Sequence, residues 1–437
     1  MKLTIIGGGY VGLVSAACFS HIGHEVLVVE KVPEKVELLR KGISPIYEPG
    51  LEELLKEGLS KGSLDFTSDI REGIKFSEVI FICVGTPSLP DGSADMSYVE
   101  EVARLIAKYM DGYKLVVNKS TVPVGTHKRV ERTIRLYLKD KEIDFDVASN
   151  PEFLREGHAV KDFLEPDRIV IGVSSERAEG ILREIYKPIT DKGYPLLVTT
   201  PPTAEIIKYA SNTFLATKIS FINMIADLCE KVGANVEEVA EGMGYDKRIG
   251  REFLRAGIGW GGSCLPKDIK AFIKTLEEYG VNAGILRGAL SVNEERVSKF
   301  VKKLKEILWV IKGKKIAIWG LSFKPNTDDI RDAPSIKVIQ ELLREGALIR
   351  AYDPKAIPNM KRLFPEGEDL KYFSDKYEAA KGAEALLIIT EWEEFKKADL
   401  NKLKKIMELP IILDGRNIYN PEEVRSLGFE YYSVGRP

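Results

Sequence analysis

A strand–turn–helix–strand pattern at the N-terminus restricts the fold more than any other feature of this 437-residue chain. Residues 3–30, "LTIIGGGYVGLVSAACFSHIGHEVLVVE", contain the motif G-x-G-x-x-G directly after an apolar run. In this motif Gly7 permits a tight turn, Gly9 lets the backbone approach a pyrophosphate, and Gly12 allows close packing of helix on strand. The pattern predicts a doubly wound α/β domain that binds a dinucleotide. The alternative is a close-packed α/β turn without a ligand.

An acid at the end of the second strand indicates which dinucleotide fits. Glu30 stands 18 residues after Gly12, where a carboxylate accepts hydrogen bonds from the adenosine ribose hydroxyls. The same charge repels a 2′-phosphate. The sequence therefore favours NAD over NADP.

Apolar strands continue to alternate with helical segments after this unit. The strand segments are "EVIFICVGTP", "KLVVNKSTVPVGT", "DFDVASNPEFLREG", "DRIVIGV" and "PLLVTT". Thr86 and Thr121 stand at the carboxyl ends of the first two, and ligands of doubly wound sheets bind at such ends. We therefore expect a first domain over residues 1–200 with both threonines near the cofactor.

The pattern becomes helical over residues 202–232, which lack an internal glycine. This long connecting helix opens a central helical domain, predicted over residues 201–311. Lys208 and Asn212 are four residues apart and so share one helix face. They either bind a ligand or belong to a solvated face.

A second strand–turn–helix–strand pattern starts at residue 314 and ends in Asp353 and Pro354. Its turn lacks G-x-G-x-x-G, so we expect it to bind a phosphate ligand other than a dinucleotide. The charged and aromatic candidates at this turn and at a later strand end are Phe323, Lys324, Asp328, Asp329, Arg331 and Arg416. The predicted fold is therefore α/β, with two Rossmann-like doubly wound domains, 1–200 and 312–437, joined by the central helical domain.

The stretch "GIGWGGSCLPKD", residues 257–268, places a thiol among glycines and charges. Pro266 suits the first turn of a helix, so Cys264 would lie near the positive end of the helix dipole. That position and Lys267 both favour the thiolate, Asp268 is suited to proton transfer, and the glycines would let a substrate approach. Beside a nicotinamide site this thiol suggests oxidation of an aldehyde through a thioester. The alternative is a glycine-rich turn with an incidental thiol.

The composition excludes several classes of function. A net charge of −2 argues against a general nucleic-acid binder, and no apolar run has the length of a membrane span. The N-terminus does not have the form of a signal peptide, so we expect a cytoplasmic protein. No cysteine or histidine has metal-ligand spacing, and Cys18, Cys83 and Cys229 are expected to pack in apolar surroundings.

Ordered motifs along nearly the whole chain resemble those of the nucleotide-sugar dehydrogenases. They are "GGGYVG", "VGTPSLPDGSADMSYV", "KSTVPVGT", "NPEFLREGHAVKDFLEPDRIVIG", "KYASNTFLA", "DKRIG", "GIGWGGSCLPKD" and "GLSFKPNTDDIRDAPS". The segments "DFLEPDRIVIG" and "GTPSLPDGSADMS" are more similar to the UDP-glucose branch than to the N-acetylmannosamine or N-acetylglucosamine branches.

The resemblance implies oxidation of a primary alcohol to a carboxylate with two NAD and no release of the aldehyde. Cys264 would be the nucleophile, forming a thiohemiacetal and then a thioester that water hydrolyses. Lys208 and Asn212 would stabilise the oxyanion. Asp268 would act as the base that activates water, which Thr121 and Glu156 would help to orient.

The resemblance also implies two sets of binding residues. For NAD they are Gly7, Gly9, Tyr10, Val11, Gly12, Glu30, Lys35, Thr86, Thr121, Glu156, Cys264, Lys267 and Arg331. For UDP-glucose they are Glu152, Phe153, Leu154, Arg155, Glu156, Lys208, Asn212, Arg248, Phe253, Arg255, Gly257, Gly261, Phe323, Lys324 and Arg416. Arg248 would reach the substrate of a neighbouring subunit, which implies a homodimer or a higher homo-oligomer.

Three other hypotheses differ from this one in substrate or in class. The same chemistry could act on a UDP-N-acetylhexosamine. A sensor of NAD or nucleotide sugars would bind both ligands without chemistry, but it needs no nucleophile. A two-electron hydroxyacid dehydrogenase would leave Cys264 and the C-terminal unit without a role.

Overall fold

Strands that are apolar on both faces alternate with helices in two separate parts of the chain. The computed structural model describes residues 1–139 and 141–437. Within these residues the chain divides into two units, Met1–Ser211 with Lys270–Tyr279 and Asn212–Ile269 with Gly280–Pro437.

The first unit contains an eight-stranded sheet. Its strands are β1 Lys2–Ile6, β2 Glu25–Val29, β3 Leu64–Thr67, β4 Val79–Ile82, β5 Lys114–Asn118, β6 Phe145–Ser149, β7 Ile169–Gly172 and β8 Leu196–Thr199. They lie in the order β3-β2-β1-β4-β5-β6-β7-β8. The first six follow the 3-2-1-4-5-6 order of dinucleotide-binding sheets and run parallel, whereas β7 pairs antiparallel with β6.

Helices cover both faces of this sheet. They are α1 Tyr10–His21, α2 Pro33–Arg40, α3 Leu51–Lys61, α4 Ile70–Phe76, α5 Ser97–Tyr109, α6 Thr126–Leu138, α7 Ala159–Leu164 and α8 Glu176–Thr190. Because side chains alternate along a strand, β1 supplies Leu3 and Ile5 to one apolar core and Ile6 to the other. Burial on both faces explains why the strands of this sheet are nearly continuous apolar runs.

Four helices follow in the central part of the chain. They are α9 Pro201–Val232, α10 Val236–Gly244, α11 Leu265–Glu278 and α12 Gly284–Leu308. The long connecting helix predicted from the sequence is α9, with 32 residues. Within the second unit, the later part of α9 packs against α10 through Ile222, Ala226 and Val236.

The second unit contains a six-stranded parallel sheet. Its strands are β9 Lys315–Trp319, β10 Leu348–Tyr352, β11 Leu370–Tyr372, β12 Ala385–Ile388, β13 Ile411–Asp414 and β14 Glu430–Tyr432. Its remaining helices are α13 Pro334–Arg344, α14 Ile357–Leu363, α15 Lys376–Ala380, α16 Glu393–Lys396, α17 Leu400–Ile406 and α18 Pro421–Ser426. The order β11-β10-β9-β12-β13-β14 repeats the 3-2-1-4-5-6 arrangement. The prediction of two Rossmann-like sheets is confirmed.

Candidate active site

The glycine turn between β1 and α1 is closed by the protein on one side and open on the other. Gly7 has a φ of +115°, and a Cβ there would lie 2.5 Å from the carbonyl oxygen of Cys83. A Cβ on Gly12 would overlap the carbonyl oxygen of Gly7, whereas a Cβ on Gly9 would meet no atom within 4 Å. Packing therefore requires Gly7 and Gly12, while Gly9 faces the open region that a pyrophosphate needs.

Glu30 is buried directly after β2, beside this turn. Its Oε1 accepts a hydrogen bond from the Val32 N–H at 3.0 Å, which fixes the carboxylate. A Cβ on Gly8 would lie 2.7 Å from Oε2, so the acid borders the glycine turn. A fixed carboxylate beside the open turn fits the adenosine ribose of NAD.

The two strand-end threonines are brought together. The Thr86 hydroxyl donates to the Thr121 carbonyl oxygen at 2.9 Å, and this bond joins the segments after β4 and β5. Both segments leave the same edge of the sheet because the two strands are parallel. This juxtaposition agrees with the expected location of a ligand at the carboxyl ends of the strands.

A buried ion pair lies after β6. Lys208 Nζ is 3.0 Å from Glu152 Oε1, and the two side chains are only 4% and 6% exposed. Glu152 Oε2 accepts from the Leu154 N–H at 2.6 Å. Burial opposes ionisation of Glu152, but Lys208, the Leu154 N–H and Lys119 together hold its pKa below the usual value. The face that carries Lys208 is therefore not solvated.

Phe153 packs against two cations in the same unit. The Arg168 guanidinium carbon lies 3.6 Å from the centre of the Phe153 ring, and Lys208 Nζ lies 5.4 Å from it. Burial lowers the pKa of Arg168, while Asp167 and Glu152 oppose that shift. Arg168 was not among the predicted site residues, because its place beside Phe153 is a contact between separate segments.

Glu205 anchors the start of α6, which follows the loop that carries Thr121. Its buried carboxylate accepts from the backbone N–H groups of Gly125 at 2.7 Å and His127 at 2.9 Å. The His127 Nδ1 atom lies 3.1 Å from Glu205 Oε1. Glu205 precedes Lys208 by three residues, and that i, i+3 spacing was the only sequence signal for it.

Cys264 stands at the N-terminal end of α11 in the second unit. Its carbonyl oxygen accepts the Asp268 N–H at 2.8 Å, which is the first bond of the helix. Its thiol is partly exposed and lies 3.5 Å from the Ser263 hydroxyl. The other three cysteines are buried, in keeping with a packing role, and burial raises the pKa of Cys83 to about 12.

Asp268 is the centre of a hydrogen-bonded cluster in the second unit. Its Oδ2 accepts from Asn212 Nδ2 at 2.7 Å, and its Oδ1 pairs with Lys267 Nζ at 2.7 Å. The residue is 1% exposed, so both bonds are shielded from solvent. The structure thus brings three predicted residues together. Lys267 and Asp268 follow Cys264 within four positions on α11, and Asn212 lies on α9.

The glycines of residues 257–262 are explained largely by close packing of the chain on itself. A Cβ on Gly257 would lie 2.7 Å from the Gly415 carbonyl oxygen, and one on Gly262 would lie 2.6 Å from the Phe323 ring. A Cβ on Gly261 would overlap the Asp332 carbonyl oxygen. The packing of the chain therefore requires glycine at these positions. The expectation that the glycines also let a substrate approach stays a prediction.

Asp353 occupies the place in the second sheet that Glu30 holds in the first, at the end of the second strand. Its buried carboxylate accepts from the backbone N–H groups of Leu321 and Ser322 at 2.7 and 3.0 Å. It also accepts from the Trp392 indole N–H at 3.2 Å. Because protein donors already bind this carboxylate, it is not free to accept hydrogen bonds from the hydroxyls of a ribose. This explains why the turn is not a second dinucleotide site.

Arg416 connects the end of β13 to the glycine loop, which we define as residues 257–262. Its Nε donates to the Ile389 carbonyl oxygen at 2.7 Å, and its Nη1 donates to the Gly259 carbonyl oxygen at 2.9 Å. Lys324 lies 5.3 Å above the Phe323 ring, and that ring contacts the same loop. The second unit therefore brings Phe323, Lys324 and Arg416 to the loop that precedes Cys264.

Five of the remaining predicted residues are exposed at the surface, and the others are partly or fully buried. Arg155 pairs with Asp162, Arg331 with Asp329, and the 89%-exposed Arg248 with Asp246. Lys35 and Arg255 are exposed, Tyr10, Val11, Phe253 and Leu154 are partly buried, and Glu156 is buried. Phe253 has a φ of +63°, a strained conformation for a non-glycine residue, shortly before the glycines of residues 257–262.

Residues 1–139 and 141–437 lack two kinds of feature. No helix there is long and apolar enough to cross a membrane. No group of three or more histidine, cysteine, aspartate or glutamate side chains is arranged to hold a metal ion in that part of the chain.

Sequence models of one family match most of the chain. The NAD binding domain of the UDP-glucose/GDP-mannose dehydrogenase family matches residues 1–190, its central domain matches 202–295, and its UDP binding domain matches 317–421. The chain belongs to the UDP-glucose/GDP-mannose dehydrogenase family. The family's domain descriptions agree with the NAD fit of the first sheet and with the loss of the dinucleotide motif in the second.

Individual members of this family match over their full length. A UDP-glucose 6-dehydrogenase of Rhizobium meliloti is 50% identical, with 100% of both chains covered. One from Bacillus subtilis is 45% identical, covering 100% of this chain and 93% of that protein. Among solved structures, a UDP-glucose dehydrogenase from Pyrobaculum islandicum is 40% identical with a TM-score of 0.92, covering 100% and 98%. A UDP-D-ManNAc dehydrogenase from Pyrococcus horikoshii is 32% identical with a TM-score of 0.87, covering 100% and 99%.

Proposed function

We propose that this enzyme oxidises the C6 alcohol of UDP-glucose to a carboxylate, using two NAD and giving UDP-glucuronate. The observation that carries the proposal is the full-length identity of 45% to 50% to proteins named UDP-glucose 6-dehydrogenase. The candidate residues support it, because the second unit supplies a nucleophile in Cys264 and a buried carboxylate in Asp268, and the first unit supplies a buried cation in Lys208. NAD supplies a hydride acceptor for each of the two oxidations.

The first oxidation removes a hydride from C6 and a proton from its hydroxyl, which leaves an aldehyde. The Cys264 thiolate then adds to the aldehyde carbon, and the new C–S bond makes a thiohemiacetal. Lys208 stabilises the negative oxygen, and the buried Glu152 keeps Lys208 oriented and charge-balanced. Asn212, on the same helix as Lys208, donates a hydrogen bond to this oxygen.

The second hydride leaves the thiohemiacetal carbon as its hydroxyl proton is lost, and a thioester results. Water then attacks the thioester carbon, the C–S bond breaks, and the thiol is restored. Asp268 takes the proton from this water, with Lys267 and Asn212 fixing its carboxylate. One alcohol, two NAD⁺ and one water thus give one carboxylate, two NADH and three protons.

The uridine diphosphate binds to the second unit in this proposal. Lys324 and Arg416 supply positive charge beside the glycine loop, where diphosphate oxygens would accept hydrogen bonds. Asp353 is already saturated by protein donors, so nucleotide contacts there come from other residues.

We further propose a cytoplasmic homodimer. In the second unit an exposed apolar stripe runs along α9 and consists of Phe214, Phe221, Met224, Leu228 and Val232. Their spacing of three, four and seven residues places them on one helix face, which a second copy of the chain would cover. All four cysteines are free thiols, as in proteins of a reducing compartment.

Complementation tests the role of Arg248 in such a dimer. Arg248→Ala and Cys264→Ala are each expected to be inactive, but their mixed dimer regains activity if Arg248 serves the neighbouring site.

Light scattering measures the assembly, and Leu228→Glu with Phe221→Glu is expected to yield monomers. Absence of complementation in verified mixed dimers contradicts the role of Arg248, and unchanged dimers of the double variant contradict the interface.

A panel of sugar nucleotides tests the substrate. NADH absorbance is followed with UDP-glucose, UDP-N-acetylglucosamine, UDP-N-acetylmannosamine and GDP-mannose, and with NADP in place of NAD. UDP-glucose with NAD is expected to give the highest kcat/KM. A higher kcat/KM for an N-acetylated sugar would establish the alternative, which the similarity to the Pyrococcus horikoshii structure makes the relevant comparison.

A further inference from the structure

Glu48 is a buried acid in the segment "SPIYEPG", residues 44–50, to which the mechanism above gives no role. The residue is 6% exposed. Its Oε1 accepts from the Ala159 N–H at 2.7 Å, and its Oε2 accepts from the Gly157 N–H at 2.7 Å. Oε2 also accepts the Tyr10 hydroxyl hydrogen. Three donors therefore converge on one carboxylate inside the first unit.

The donors come from two segments of the candidate site. Tyr10 is the first residue of α1 and follows Gly9, the open glycine of the cofactor turn. Gly157 and Ala159 directly follow the substrate loop, which we define as residues 152–156. The His158 N–H donates to the Arg155 carbonyl oxygen at 2.9 Å, so the loop ends in a tight turn. Glu48 accepts from Gly157 within that turn and from Ala159 after it.

The two oxygens of Glu48 accept all three donors, an arrangement that a glutamine does not reproduce. The amide of a glutamine has one acceptor oxygen, and its NH₂ group would face a backbone N–H. Burial, and then the bond to Glu48, raise the pKa of Tyr10, so its phenol stays a hydrogen-bond donor over the working pH range. The Tyr10 hydroxyl and the loop are thereby joined through a single side chain.

We propose that Glu48 is a positioning residue that couples the cofactor turn to the substrate loop. The proposal rests on the proposed function, since it deepens the account of how that site binds its two ligands. NAD bound against the start of α1 restricts Tyr10, and UDP-glucose bound against the substrate loop restricts Gly157 and Ala159. Because both restrictions act on one carboxylate, each ligand increases the affinity for the other, by the same factor in both directions.

Binding calorimetry with Tyr10→Phe tests this coupling. The affinity for UDP-glucose is measured with and without NADH, which cannot accept a hydride and so prevents turnover. The full-length wild-type protein is expected to bind UDP-glucose more tightly with NADH, and Tyr10→Phe is expected to lose at least about threefold of that gain. The ratio isolates the coupling from any direct effect of Tyr10 on NADH affinity.

Glu48→Gln tests the positioning itself. This variant leaves a buried N–H without an acceptor, so its affinity for UDP-glucose and its kcat are expected to fall by about ten- to a hundredfold. Tyr113→Phe is the matched control, because it removes another tyrosine–carboxylate bond of the same unit, 2.7 Å to Asp146, outside the site. The control is expected to retain wild-type affinity, coupling and kcat.

Distinct outcomes overturn the proposal. A folded Glu48→Gln with wild-type affinity and kcat would refute the positioning role. A wild-type protein without coupling, or a Tyr10→Phe variant with full coupling, would refute the link between the two ligands. Tyr10→Phe removes only a hydroxyl, so this arm remains decisive if Glu48→Gln does not fold. Absence of NADH formation by the wild type would instead refute the proposed function, and the binding arms would still test Glu48.

Discussion

Lys208 and Glu152 form an ion pair in which both side chains are almost completely buried, with 3.0 Å between Nζ and Oε1. Burying two opposite charges is favourable only when they remain paired, because each is costly alone. The pair therefore places a charge-balanced, solvent-excluded lysine on the face of α9 that the mechanism uses. Removal of either partner should disturb both stability and catalysis.

Glu152→Gln is expected to destabilise the protein by about 3–5 kcal/mol at neutral pH, because Lys208 keeps a buried charge without its counter-ion. The pKa of Glu152 is lower in the folded protein than its ordinary value. The stabilisation by the Lys208–Glu152 pair is therefore complete at neutral pH. It declines as the pH falls below the ordinary range of a glutamate, and it is lost once the pH passes below the pKa of Glu152 in the folded protein. Denaturant unfolding at several pH values measures it.

Glu25→Gln provides the control for this measurement. Glu25 pairs with Lys2 at 3.5 Å on the surface of the same unit, where an ion pair contributes less than about 1 kcal/mol. If Glu152→Gln changed the unfolding free energy no more than Glu25→Gln at every pH, the buried pair would not have the strength assigned to it.

Gly9→Ala and Gly12→Ala separate cofactor binding from packing in the same turn. A Cβ at position 12 overlaps the Gly7 carbonyl oxygen, so this variant should lose about 1–3 kcal/mol of stability. A Cβ at position 9 meets no atom within 4 Å, so that variant should keep its stability and raise the KM for NAD. Thermal unfolding and kinetics measure the two effects. A Gly9→Ala variant with an unchanged KM would contradict the placement of the pyrophosphate.

Iodoacetamide should alkylate Cys264 before any other cysteine. The thiol is partly exposed at the N-terminal end of α11, whereas Cys18, Cys83 and Cys229 are buried. The helix terminus favours thiolate, so alkylation should remain fast well below pH ~8.5, the ordinary range of a thiol. Mass spectrometry of the modified peptide against pH gives the profile. An ordinary thiol profile would count against activation by the helix.

The sequence was most informative where a local pattern has a local cause. The glycine turn, Glu30 and the apolar strands are short-range features, and the prediction of the fold, the family and the cofactor NAD is confirmed. The antiparallel direction of β7 was not predicted, because a strand's residues encode its burial and not its orientation.

Long-range contacts account for what the sequence did not reveal about the site. Glu48, Arg168 and Glu205 each bind residues that are distant along the chain, and no spacing rule links them to their partners. The glycines before Cys264 had a visible pattern, but only the folded chain reveals that Gly415 and Phe323 approach Gly257 and Gly262 closely. The individual roles of the site residues stay predictions.

The ratio of NADH to uronate formed tests the central claim most directly. A limiting amount of UDP-glucose is converted with excess NAD, NADH is read by absorbance, and the uronate is quantified by chromatography. The account predicts two NADH for each UDP-glucuronate without free aldehyde, and no uronate from a folded Cys264→Ala variant. One NADH per sugar, or full activity in Cys264→Ala, would contradict covalent four-electron oxidation through Cys264.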